Sequence, residues 1–113
     1  MKKVYKVLSK TEWHKAINEG IFKGAAIDLQ DGYIHLSTAE QVEETVEKHF
    51  KGQSNLLLIS FDTEKLGDAL KWEQSRNDDL FPHLYANLQP TLADQVLALV
   101  DRQDGGHDFP ETY

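Results

Sequence analysis

The stretch Asp31-Gly32-Tyr33-Ile34-His35-Leu36-Ser37-Thr38 decides how the rest of the chain is read. Asp-Gly predicts a tight turn, because Gly reaches positive φ without a steric penalty. Tyr33 to Ser37 has the aromatic and β-branched content of a short strand. Side chains alternate along a strand, so Tyr33, His35 and Ser37 share one face, and Ile34 and Leu36 the other. The aliphatic pair needs a core, which leaves the polar row to line a cleft. Thr38 followed by Gln41 matches a capping box and predicts a helix start. A polar strand face running into a helix N-terminus suits an anionic group. The plain alternative is that His35 is a hydrogen-bonded strand residue with no chemical role.

Working back toward the N-terminus, Ile21 to Gln30 has no clean period. Gly24 and the small pair Ala25-Ala26 point to a loop that packs closely on its surroundings and forms a cleft wall. Val4 to Leu8 reads as a first strand. Ser9 and Glu12 form a second capping box. Trp13, Ala16 and Ile17 follow at helical spacing, with Gly20 as the C-terminal cap. Trp13 reads as core packing and His14 as a solvated neighbour.

Working forward, the helix after Thr38 runs to about Phe50. Val42, Val46 and His49-Phe50 lie on its buried side, and Glu40, Glu43, Glu44 and Glu47 on a solvated face. His49 suits the helix C-terminus as a charge. Leu56-Leu57-Leu58-Ile59-Ser60-Phe61-Asp62 is the strongest strand signal; its apolar run predicts burial on both faces at the centre of a sheet. Thr63 to Gly67 is a turn or one helical turn. Leu70 to Glu73 reads as a strand with Leu70 and Trp72 on one face and Lys71 and Glu73 on the other. A polar loop, residues 74–79, leads to Leu80-Phe81-Pro82-His83-Leu84-Tyr85. Pro82 cannot donate to a ladder, so this segment is expected at an edge or a bend. His83 and Tyr85, two apart, project together. Pro90 to Gln95 starts a helical turn, Val96 to Val100 is the last strand, and 101–113, with His107, is a loosely held tail.

A chain of 113 residues that is 40% hydrophobic fits one domain with a core. Two helices ahead of most strands predict an α+β fold with mixed or antiparallel sheets. Cysteine is absent, which removes disulfides, thiolate zinc sites and a Cys nucleophile and agrees with a cytoplasmic location. Lys2 and Lys3 precede an alternating segment, unlike a signal peptide. No stretch approaches the ~20 apolar residues of a membrane span. A net charge of −7 argues against nucleic acid as a partner but leaves room for a small phosphorylated ligand. Nothing in the sequence sets an oligomeric state.

Three constellations carry chemistry. They are Tyr33, His35 and Ser37; then Trp72, Glu73, Ser75 and Arg76; then His83 with Tyr85. Imidazoles exchange protons near neutrality. Arg76 offers a bidentate clamp for phosphate or carboxylate, and Trp72 or Tyr85 a surface for a planar ring. The rival reading brings His35, His83 and Glu73 onto zinc, although no H-x-H or H-E-x-x-H spacing occurs. A Ser-His-Asp hydrolase is weaker, because Ser37 lies in no G-x-S-x-G elbow. No G-x-G-x-x-G or P-loop is present.

Asp31 to Gln41, Leu70 to Arg76 and Phe81 to Tyr85 together resemble domain-of-unknown-function family 952, short and mostly bacterial proteins. The likeness runs from Tyr5 to about Pro110. It implies a fold grouped with the ADP-ribosyltransferase-like superfamily, whose members bind NAD between two small sheets. Many of them transfer ADP-ribose, or remove a phosphate using NAD. By this resemblance His35 takes the early ligand-positioning role and Glu73 is the nearest candidate for the catalytic carboxylate. His83 has no counterpart in that pattern. The expectation is therefore a nucleotide-dependent transferase with His35, His83 and Glu73 as catalytic groups, and Tyr33, Ser37, Trp72, Ser75, Arg76 and Tyr85 holding NAD or a related nucleotide. The alternatives are a non-catalytic module that binds a nucleotide or small metabolite, and a structural protein in which the histidines merely pack.

Overall fold

The computed structural model describes residues 2–75 and 78–113. Its frame is two three-stranded sheets, antiparallel in every pair. The first contains β1 (Lys3–Ser9), β3 (Leu56–Asp62) and β6 (Ala93–Ala98), with β3 in the middle. All seven residues of β3 are buried. Leu57, Ile59 and Phe61 enter one hydrophobic cluster, and Leu56 and Leu58 a second on the opposite face. An apolar run needs both faces covered, and helices supply the cover.

On one side, α1 (Lys10–Glu19) buries Trp13 and Ala16, while Ile17, expected in the same stripe, stays half exposed. Its capping box closes reciprocally, Glu12 N donating to Ser9 Oγ at 3.1 Å and Ser9 N to Glu12 Oε1 at 3.0 Å. Such a cap contributes about 1 kcal/mol. On the other side, α3 (Ala39–His49) buries Val42 and Val46 beside Tyr5 and Val7 of β1, and His49 is exposed. The Gln41 side chain returns to Thr38 N at 3.1 Å.

The second sheet has the order β2 (Ile34–His35), β5 (Leu80–Leu84), β4 (Leu70–Gln74). Pro82 therefore lies in a central strand, not at an edge or bend. The geometry explains how. Past the His35–His83 pair, Leu36 N donates to Pro82 O at 3.0 Å, and Pro82 has no N–H to return. Pairing stops there, and β2 is only two residues long. The chain then crosses to the first sheet, where Tyr5 N donates to Ser37 O at 2.8 Å and Ser37 N to Tyr5 O at 2.9 Å.

Two further expectations are corrected. The segment read as a loop before Tyr33 contains a short helix, α2 (Ala26–Asp31), and Gly32 is its left-handed C-cap at φ 88°, so Asp31-Gly32 ends a helix. Gly24 does pack closely: a Cβ there would sit 2.8 Å from that of Asp28. The tail is also not loose. After α4 (Thr63–Leu66) and β6, the strands β7 (Val100–Asp101) and β8 (His107–Asp108) pair, and Phe109 and Tyr113 pack against the second cluster. Among the described residues no helix is long and apolar enough to cross a membrane.

Candidate functional site

The polar face of the second sheet follows from its register. His35 pairs with His83, and His83 pairs with Lys71 on the far strand, so the three side chains form one row across the sheet. Glu73, two residues beyond Lys71, and Tyr85, two beyond His83, extend the same face. The His35 and His83 rings lie 5.5 Å apart, centre to centre. Tyr33 packs over both, at 4.6 Å from His35 and 4.2 Å from His83, and reaches the Tyr85 ring at 5.2 Å.

Each imidazole is held at Nδ1 by a carboxylate. His83 Nδ1 contacts Glu73 Oε1 at 2.8 Å, and Tyr85 donates its hydroxyl to the same oxygen at 2.7 Å. The Tyr85 and His83 hydrogen bonds hold the Glu73 carboxyl below its ordinary range. Reciprocally, its hydrogen bond to Glu73 pushes the Tyr85 hydroxyl up to about 12, because ionising it would lose that bond and place two anions together. Tyr33 is also pushed up, first by burial and then by Asp31 and Glu73.

His35 Nδ1 contacts Asp28 Oδ1 at 2.7 Å, and its Nε2 contacts Asp31 Oδ2 at 3.0 Å. Asp28 is a buried carboxylate that also accepts Lys6 Nζ, His35 N and Ala25 N. Burial by itself raises its pKa, but the His35 hydrogen bond and the Lys6 charge outweigh burial and hold it at about 2. Lys6 is lowered by its own burial, opposed by Asp28.

Beside this cluster lies a cleft of about 370 Å³, lined by Lys23, Asp28, Leu29, Tyr33, Tyr85 and Asn87 among others. Tyr33, His35, Glu73, His83 and Tyr85 thus come together. Three other expected residues do not join them. Ser37 is buried under α3, its Oγ 3.3 Å from Thr45 Oγ1, so no Ser–His pair forms. Trp72 occupies the opposite face of β4, against the first hydrophobic cluster, with Lys2 Nζ 4.5 Å above its ring. Ser75 lies past the far end of β4 from Tyr85, its N–H closing a turn to Asp79 O at 2.9 Å. Arg76 lies outside the described residues. Among the described residues no three His, Asp or Glu side chains are arranged to hold a metal ion, so His35, His83 and Glu73 do not form the zinc site of the rival reading.

Sequence reading missed Asp28, Asp31 and Lys6. A signal for Lys6 existed. It shares its strand face with Val4 and Leu8, so a lysine in that position points into the core and needs an acid there.

The chain belongs to the DUF952 family of proteins of unknown function, whose model matches residues 7–98. It is similar to the crystal structure of CC0527 from Caulobacter crescentus, with 45% identity and a TM-score of 0.91 over 94% of this chain and 93% of that one. The solution NMR structure of CC0527 gives 47% identity and a TM-score of 0.82 over 93% and 90% of the two chains. No curated protein matches the chain.

Proposed function

We propose that the protein is a nucleotide-dependent transferase of the ADP-ribosyltransferase-like type, with an NAD-like ligand seated against Tyr33 and Tyr85. The observation that carries this reading is Glu73, whose single oxygen accepts both His83 Nδ1 and the hydroxyl of Tyr85, a residue that itself lines the cleft. Breaking the bond between a ribose and a nicotinamide-like leaving group develops positive charge on the sugar. A fixed, ionised carboxylate stabilises that charge without reorganising. Aromatic rings beside Asp31 and Glu73 also favour a planar cation. The cleft volume lies near the lower end of the roughly 300–1,000 Å³ usual for small ligands, enough for a ring and its sugar. In this reading His35 hydrogen-bonds the ribose or pyrophosphate, His83 serves as acid or base, and Lys23 at the cleft offsets phosphate charge. Two small sheets around a shared core support the superfamily assignment as well.

A second reading, a binding module without chemistry, is favoured by two features. Both ring nitrogens of His35 are engaged, and Tyr33 covers both imidazoles. Calorimetric titration with NAD, paired with an assay for released nicotinamide, separates the two. Binding by the parent and by Glu73→Gln, with release by the parent alone, supports the transferase. Binding by both with release by neither supports the module. No nucleotide binding by either contradicts both readings.

A further inference from the structure

Asp28 joins three elements at one carboxylate. Its Oδ1 accepts His35 N at 3.0 Å, His35 Nδ1 at 2.7 Å and Lys6 Nζ at 3.0 Å, and its Oδ2 accepts Ala25 N at 2.8 Å and Lys6 Nζ at 2.9 Å. The side chain is 1% exposed, so no water competes for these positions. Lys6 also donates to His35 O at 2.9 Å, which fixes the backbone of the same residue whose ring Asp28 holds. An ionised carboxylate has acceptors only. A ring nitrogen 2.7 Å from it must therefore be the donor, and by the same rule Nε2 is the donor toward the Asp31 carboxylate at 3.0 Å.

We propose that Asp28 is the positioning residue of this site, holding His35 with Nδ1 protonated and leaving Nε2 as the nitrogen offered to a ligand. The contrast between the two carboxylates on the ring supports this assignment. Asp28 is sealed between β1, α2 and β2, and Lys6 keeps it charged. Asp31 sits at the exposed end of α2, its side chain 36% exposed, and contacts Nε2 on the ring's open edge. Asp28 is the fixed partner and Asp31 the exchangeable one. A carboxylate needed only to neutralise Lys6 would not have to meet an imidazole edge-on. The arrangement follows a general rule for proton-exchanging histidines, in which one nitrogen is oriented by a third group so that the other does the work. The proposal rests on the functional reading above for the existence of a ligand, and on geometry alone for the state of the ring.

The test is the ring ¹⁵N spectrum of His35 in the full chain without any ligand, assigned with His35→Gln. In the parent, Nδ1 carries a proton. In Asp28→Asn a neutral amide no longer holds a proton on Nδ1 against the Asp31 carboxylate at Nε2, so Nδ1 loses its proton and Nε2 keeps the one it gives Asp31; the same substitution in a serine-protease triad traps the wrong tautomer. Lys6→Met leaves Nδ1 protonated. If Asp28→Asn does not fold, the parent and Lys6→Met spectra decide. An unprotonated Nδ1 in the parent, or an unchanged ring in folded Asp28→Asn, overturns the proposal. A purely structural role for Asp28 leaves the Nδ1 proton where it is. Failure of NAD to bind has no effect on these spectra and counts against the functional reading instead.

Discussion

His35 and His83 stand opposite each other on β2 and β5, paired in register with their rings 5.5 Å apart. They come from positions far apart in the chain, and each is anchored at Nδ1 by its own carboxylate. The two dyads differ in setting. The Asp28 side is sealed and holds a buried lysine; the Glu73 side is half open and shared with an exposed phenol.

The sealed side makes a stability prediction. Asp28→Ala leaves Lys6 buried without a counter-charge, at a cost of about 3–5 kcal/mol in urea unfolding. Replacing both groups, Lys6→Met with Asp28→Leu, costs less than Asp28→Ala alone. A loss below about 1 kcal/mol for Asp28→Ala means that Lys6 is satisfied without it.

A pH prediction follows from the same carboxylate. Its folded value of about 2 lies below the ordinary 3.8. A depressed acid contributes stability above the unfolded value and loses it as pH falls through the folded one. The parent should therefore lose about 2 kcal/mol more than Asp28→Asn between pH ~4 and ~2. Parallel stability profiles for the two proteins contradict the assignment.

The regular frame was legible because its signals are local. The reciprocal Ser9–Glu12 cap, the Val42–Val46 stripe and the apolar run Leu56 to Ile59 each sit within a few residues of the element they specify. The strand alternation that put His35 near Tyr33, and His83 near Tyr85, is equally local. What escaped depends on distant partners. Ala25 has no side-chain oxygen to announce α2; the helix start is fixed by Asp28 accepting Ala25 N, and Asp28 is itself held by Lys6, 22 residues away. Ser37 leaves the cleft because Pro82, in another strand, ends the pairing. Polar composition hid the packing of the tail, where Tyr113 reaches Glu43 across 70 residues at 2.6 Å.

Glu73 controls Tyr85. In Glu73→Gln the phenol no longer donates to an anion, and its titration falls from about 12 toward the ordinary 10.0. Phenolate absorbance in parent and variant, with Tyr85→Phe identifying the contribution, reads this directly. An unmoved Tyr85 would separate it from Glu73 in solution.

The C-terminal segment belongs to the second hydrophobic cluster, where the Tyr113 ring meets Tyr5 edge-on at 5.6 Å. Tyr113→Ala is expected to cost about 1–2 kcal/mol, below the full price of a core aromatic because the ring is half-buried. His35 and His83 resonances should stay in place. Full parent stability in the variant would make the tail dispensable.

The most direct test of the functional account is an amide and ring NMR titration of the full chain with NAD. Saturable shifts are expected at Tyr33, His35, His83, Tyr85 and Asn87, and their loss in a Tyr33→Ala, Tyr85→Ala double variant that keeps the parent fold. Saturation elsewhere on the surface, or no shift at any nucleotide concentration, contradicts it.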